Sequence, residues 1–372
     1  MNGKERLLAA LTVGLDRDFP VVVPYLRIFL RDHWEEVTDK PWWSIWEIER
    51  RLEVEEDLQE KLGIDWVQCS ICPTREWRRS HRVEVLGGRV FLIDLSSGSK
   101  TEIRRPPVGG WPSPIDREPL IKSVDEVEER VEVVPGDELV RSGRLDYARM
   151  VVERFGSEKF IYANVGSPYW RAITGYMGFR GMIRGIFRRP RLVEALLERV
   201  TEQIVEEVRA YAEVGVDGVW IEDCLSSASE ISTEHFRRFA LPYVKDVVSE
   251  VRKTGMKSIY YFCGDVHDRL EYLLEVGADA ISLEESKKNF QIDIEWVNEV
   301  VSGRCCIFGN IDSLRVLQDG TLEELEREVK RQIEVGREHG KFVVSLGSPV
   351  TPKTPLRRVR EYVEIARRYS QR

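Results

Sequence analysis

The sequence predicts an α/β protein of the (β/α)8 barrel class, folded as one domain over residues 1–372. One observation is a recurring joint: the end of a helix, Gly, a small apolar residue, Asp, then an apolar run. It reads Leu62-Gly-Ile-Asp-Trp-Val-Gln68, Val214-Gly-Val-Asp-Gly-Val-Trp-Ile221 and Val276-Gly-Ala-Asp-Ala-Ile-Ser-Leu283. Glycine closes a helix in the left-handed conformation. An apolar run without alternation is a strand covered on both faces, as in parallel sheets. A second observation is that eight such runs can be counted, and a third that amphipathic helical runs separate most of them. Together these make the barrel.

Taken in order, a helix over residues 4–12 precedes the first strand. The strands are expected at Pro20–Leu26, Ile64–Gln68, Phe160–Val165, Gly218–Ile221, Ser258–Phe262, Ala280–Leu283, Cys305–Phe308 and Phe342–Leu346. The clearest helix is Arg191–Val214, with apolar residues at 192, 193, 196, 197, 200, 204, 205 and 208. Asp246–Lys253, Thr321–Gly336 and Leu356–Tyr369 read the same way. Residues 70–125 depart from a plain barrel. Runs at 82–86, 89–95 and 101–104, joined by Gly87-Gly88 and Ser96-Ser-Gly-Ser99, predict a small antiparallel excursion after the second strand. It inserts at the face where barrel enzymes do chemistry, as a cap or as an ornament.

With 42% apolar residues the chain can bury a large core. A net charge of −8 speaks against a general nucleic-acid binder, which needs a basic face. Charged residues make up 32% while Asn (5) and Gln (7) are scarce, a composition found in thermophile proteins. No apolar run reaches membrane-span length and the first residues lack a signal-peptide core, so a cytoplasmic protein is expected. Six cysteines in so long a chain do not make a disulfide scaffold, and Cys69-x-x-Cys72 lacks the second pair of a zinc ribbon.

Barrel enzymes carry their chemistry at the carboxyl ends of the strands. Those positions here are Arg27, Cys69, Asn164, Glu222-Asp223-Cys224, Cys263, Glu284-Glu285, Asn310 with Asp312, and Ser348. The set is rich in acids and thiols and poor in histidine. Aromatic residues cluster after the first strand (Phe29, Trp34, Trp42, Trp43, Trp46), as core packing or as the wall of a flat-ring pocket.

Several stretches carry a resemblance: Lys4-Glu-Arg-Leu-Leu-Ala-Ala-Leu11, Trp170-Arg-Ala172, Met177-Gly178, Arg189-Pro190, Gly215-Val-Asp-Gly-Val219 and Phe236 with Phe239-Ala-Leu-Pro-Tyr243. Cys263-Gly-Asp265, Gly309-Asn-Ile-Asp312 and Gly347-Ser-Pro-Val-Thr-Pro-Lys-Thr-Pro355 complete it. In this order they resemble the uroporphyrinogen decarboxylase superfamily, on the side of its cobamide-dependent methyltransferases. The resemblance implies a barrel, a methyl group moved between a cobamide (corrinoid) carried by a partner protein and a small molecule, and a zinc ion. That zinc would be held by a His-x-Cys at one strand end and a Cys near the C-terminus, and would keep an acceptor thiol as thiolate. The chain departs from this pattern. Tyr261 stands at the His position and Ser348 at the second Cys, leaving Cys263; Cys224, Glu222 and His267 are substitute ligands by proximity.

The expected roles follow. Glu222, Asp223, Cys263 and Ser348 are candidate catalytic groups. Arg27, Asn164, Tyr261, Glu284, Asn310 and Asp312 are candidate substrate contacts. Arg27 and Arg31 keep the spacing of the decarboxylase branch's arginines, which would bind carboxylates, so a tetrapyrrole carboxy-lyase is the second reading. A catalytically silent homologue binding a corrinoid or a partner protein is the third. A homodimer is compatible with the chain; nucleic-acid and membrane partners are not expected.

Overall fold

A computed structural model describes residues 1–109, 115 and 117–371. Ten strands are present among them: β1 (Trp66–Cys69), β2 (His81–Leu86), β3 (Arg89–Asp94), β4 (Lys100–Ile103), β5 (Phe160–Asn164), β6 (Gly218–Asp223), β7 (Lys257–Phe262), β8 (Ala280–Leu283), β9 (Cys306–Phe308) and β10 (Phe342–Val343). Seven of them form one parallel sheet in the order β1-β5-β6-β7-β8-β9-β10. Every strand of this sheet is buried on both faces apart from its ends, which is why its sequence is a run and not an alternation.

The sheet closes into a barrel through Pro20–Val22. Val344 N donates to Pro20 O (2.9 Å), Val22 N to Val344 O (3.0 Å), and Asp65 N to Val21 O (3.1 Å). The first of the predicted strands is thus shorter than the expected Pro20–Leu26. Tyr25 takes a left-handed backbone (φ 57°), and Leu26–Asp32 is a helix. Arg27 therefore projects from that helix and not from a strand end. The predicted helices are present as Gly3–Thr12, Pro190–Glu213, Leu241–Thr254, Leu322–Arg337 and Leu356–Ser370.

The recurring Gly-x-Asp joint has a structural cause. Each aspartate stands just before its strand and accepts a backbone N–H from the strand that precedes it in the barrel. Val21 N donates to Asp65 Oδ2 (2.7 Å), Ile161 N to Asp217 Oδ2 (2.8 Å), and Ser258 N to Asp279 Oδ2 (2.9 Å). These bonds lie at the end of the barrel away from the chemistry and pin the register of neighbouring strands.

The insertion forms the antiparallel sheet β2-β3-β4, with β2 and β3 paired from His81↔Asp94 to Leu86↔Arg89. The sheet stands beside the barrel mouth, and the segment that leaves it turns back over the mouth. Arg105 pairs with Glu35, and Gly109 N donates to Asp32 Oδ1 (3.0 Å).

Asp65 carries the barrel closure, because Arg6 and Arg367 each lie 2.7 Å from its Oδ1. Burial raises its carboxyl pKa, but the bonds and charges of Arg367 and Arg6 outweigh that and hold it below the usual range. Asp65→Ala strands two guanidinium groups and the Val21 N–H, and is expected to cost about 3–5 kcal/mol at neutral pH. A depressed carboxylate stabilises above its unfolded pKa and loses that contribution as pH falls through the folded one. Urea denaturation in acid should show that loss in the wild type and not in the variant.

Candidate functional site

The interior of the barrel is filled by rings. Trp66 packs on Tyr162 (centroids 4.2 Å), Trp220 (5.5 Å) and Phe308 (5.7 Å), and Trp220 stacks on Tyr261 (5.1 Å). These rings are the floor of the mouth. Strand alternation then decides what stands above them. Trp220 and Glu222 of β6 point inward, in register with Ile259 and Tyr261 of β7. Asp223 faces the other way and is fully buried, accepting from Ser226 Oγ (2.7 Å) and Tyr260 Oη (3.0 Å). Of the two adjacent acids, Glu222 is the one in the mouth.

Glu222 is 4% exposed and receives three side chains. Asn164 Nδ2 donates to Oε2 (3.0 Å), while Tyr25 Oη (3.2 Å) and Cys224 Sγ (3.3 Å) both donate to Oε1. Burial raises its carboxyl pKa, with the three bonds opposing. Cys224 and Cys263 are in contact across the ends of β6 and β7, where Cys263 N donates to Asp223 O (2.9 Å). That contact, burial and the nearby carboxylate hold the Cys224 thiol well above its ordinary pKa. Cys263 Sγ donates to Tyr261 Oη (3.2 Å), and Tyr261 Oη donates to Gly347 O (3.0 Å).

Tyr261 links this cluster to a second one at the end of β8. Glu284 Oε2 accepts from Gly264 N (3.0 Å), and Ser348 Oγ donates to Glu285 Oε2 (2.7 Å). Glycine is required at 347, since a Cβ there would lie 2.5 Å from Glu285 N. Lys287, absent from the expected set, reaches into this cluster.

Two cavities adjoin the mouth and share Arg27 and Gln68 as a wall. The inner one, about 250 Å³, is lined by Tyr25, Asn164, Trp220 and Glu222. The outer one, about 240 Å³, is lined by Trp34, Trp42, Arg51, Glu55 and Arg105. Arg27 has no hydrogen bond or ion pair among the described residues. Arg27 is solvent-exposed where it lines these cavities, and desolvation by the atoms around it, with Arg51 beside it, lowers its pKa to about 10. Arg31 is already committed to Asp32 through two bonds (2.6 and 2.9 Å), so the expected pair of arginines is reduced to one.

Other expected residues have structural roles. Asn310 Nδ2 donates to the carbonyls of Glu284 (3.3 Å) and Ile292 (3.0 Å). Asp312 caps the turn Ser313–Gln318 through Leu314 N and Arg315 N. His267 is half-exposed, bonded to Asp265 (2.8 Å) and stacked on Trp296. Cys69 is fully buried. The aromatic cluster divides: Trp34 and Trp42 line the outer cavity, while Trp46 packs on Trp77 below the insertion.

Zinc does not fit these residues as they stand. Tyr261 spends its hydroxyl proton on a carbonyl, and Ser348 is held by Glu285. Among the described residues no three His, Cys, Asp or Glu side chains converge as a metal ion requires.

Comparisons agree with this architecture. The uroporphyrinogen decarboxylase (URO-D) family profile matches residues 108–369. A methylcobamide:CoM methyltransferase MtbA of Methanosarcina acetivorans is 25% identical over 225 residues, 60% of this chain and 63% of that one. A uroporphyrinogen decarboxylase of Chlorobium luteolum is 29% identical over 189 residues, 50% of this chain and 51% of that one. The matches thus span less than two thirds of these relatives. A solved structure, a methyltransferase from Methanosarcina mazei, superposes with a TM-score of 0.69 over 99% of both chains at 21% identity, and so shares the fold.

Asp223 gives a pH test of the site's frame. Burial pushes its carboxyl up to about 6 against the bonds from Ser226 and Tyr260. A raised carboxyl stabilises while protonated, and the contribution fades as pH rises through the folded pKa. Between about pH 4 and about pH 7 the wild type should lose on the order of 3 kcal/mol through this group. Denaturation of Asp223→Asn over the same range should lack that slope.

Proposed function

Because the chain belongs to the uroporphyrinogen decarboxylase family, we propose that it is a methyltransferase moving a methyl group between a cobamide carrier, presented by a partner protein, and a small anionic molecule held in the barrel mouth. The observation that carries this reading is the pairing of a buried acid and two thiols with a small cavity ending at an uncommitted arginine. Each cavity is below the ~300–1,000 Å³ of a drug-sized site. A tetrapyrrole would not enter; a small acceptor or donor would, with the carrier's ring approaching from outside.

In this reading the methyl leaves its carrier without the bonding electron pair, and the acceptor's lone pair forms the new bond. The chain supplies position and a proton acceptor. Arg27 binds the anionic end of the small molecule. Glu222, raised by burial and fixed by Asn164 and Tyr25, takes the proton that a thiol or amine acceptor must lose. The aromatic floor buries Glu222 from below, which strengthens its contacts. No step is routed through a protein-bound metal. The second reading, a tetrapyrrole carboxy-lyase, is weakened by the cavity size and by Arg31's commitment to Asp32.

The test is methyl transfer from methylcobalamin to a panel of thiols and amines, with and without an anionic group, followed by the visible absorbance of the cobalamin. Glu222→Gln should lower kcat by about 10²–10⁴-fold. Arg27→Ala should raise KM for anionic acceptors by about 10–100-fold with little change in kcat, the worth of one charge-assisted contact. Equal activity of wild type and both variants on every acceptor would sink the reading.

A further inference from the structure

The acid pair at the end of β8 already holds a cation. Lys287 lies in the loop after the strand, and its N–H donates to Phe290 O (3.0 Å), a turn that folds the side chain back toward the barrel mouth. Its Nζ is 2.5 Å from Glu285 Oε1, 3.1 Å from Glu284 Oε1 and 3.1 Å from Ser348 Oγ. An ammonium has three protons, and each has an acceptor here. The far oxygens of both acids are also used, Glu284 by Gly264 N and Glu285 by Ser348 Oγ. The cluster is therefore closed: two carboxylates, one hydroxyl and one ammonium satisfy one another.

We propose that Lys287 is the built-in cation of this end of the barrel, standing where a divalent ion would otherwise be needed between Glu284, Glu285 and the Ser348 loop. A zinc ion would require oxygen ligands at about 2.0–2.2 Å. It could reach Glu284 or Glu285 only by displacing the ammonium, since two cations do not share so small a space. Lys287 also acts beyond its own contacts. Glu284 passes the constraint to Gly264, the residue after Cys263, and Glu285 passes it through Ser348 to the loop whose Gly347 carbonyl receives Tyr261. Lys287 is thus a positioning residue for the thiol and the phenol. Burial favours the neutral form of Glu285, and Lys287 opposes it.

The inference does not depend on the methyltransferase reading, because its test is metal uptake. The full chain is stripped with chelator and titrated with Co²⁺ and Zn²⁺, read by visible absorption and elemental analysis. Wild type and Lys287→Arg are expected to retain essentially no metal. Lys287→Met with Ser348→Cys, which removes the charge and gives the two acids a thiolate as third ligand, is expected to take up about one ion per chain, and Ser348→Cys alone, with the ammonium in place, essentially none. Thermal melts verify folding, and Lys287→Gln replaces Lys287→Met if the latter does not fold. One tightly bound ion in the wild type would overturn the proposal. So would folded charge-removed variants that bind no more metal than the wild type.

Discussion

Three aspartate-to-backbone bonds set the frame on which everything else rests. Asp65, Asp217 and Asp279 each accept a backbone N–H near the start of the strand before their own, at 2.7–2.9 Å. A parallel strand that slipped by one residue would send its inward side chains to the helical layer. The bond at Asp217 fixes Ile161 against β6 and so aligns Asn164 with Trp220. The bond at Asp279 aligns Tyr261 with Ser282. Glu222 meets Asn164, and Cys263 meets Cys224, because the far end of the barrel is locked.

Above that frame, the chemistry is set by what the aromatic floor excludes. Trp66, Tyr162, Trp220 and Phe308 fill the interior below the mouth with ring against ring. On such a floor burial raises the carboxyl pKa of Glu222, and the Cys263 contact together with burial raises the thiol pKa of Cys224. At the end of β8 burial likewise raises the carboxyl pKa of Glu285, and the lysine folded onto it opposes that shift.

The barrel was legible because buried parallel strands are apolar runs and because the Gly-x-Asp joint repeats. Its first strand was overextended: nothing in Pro20–Leu26 marks where pairing stops, since the break is a positive φ at Tyr25, a residue that seldom adopts one. Glu222, Asn164, Cys224 and Cys263 were legible as strand ends. That Glu222 and not Asp223 faces inward depends on strand parity, which two adjacent acids do not reveal. Tyr25 and Lys287 were missed for a shared reason. Each reaches the site by a local backbone turn, and neither has a periodic signal. Asn310 and Asp312 sat where contacts were expected, and the sequence does not show that their bonds go to the chain itself.

The closing segment has a consequence for how the chain is made. Pro20–Val22 can pair fully only once Val344 exists, more than three hundred residues later, and Tyr25 waits on Glu222. During synthesis the earliest strand is held open while the rest of the sheet assembles, so the barrel closes late and through its most non-local contacts. The mouth forms in that same step, because Tyr25 follows the closing strand directly. A chain caught before closure would have most of its helices and the Asn164–Glu222–Cys224 cluster, but a mouth that lacks Tyr25.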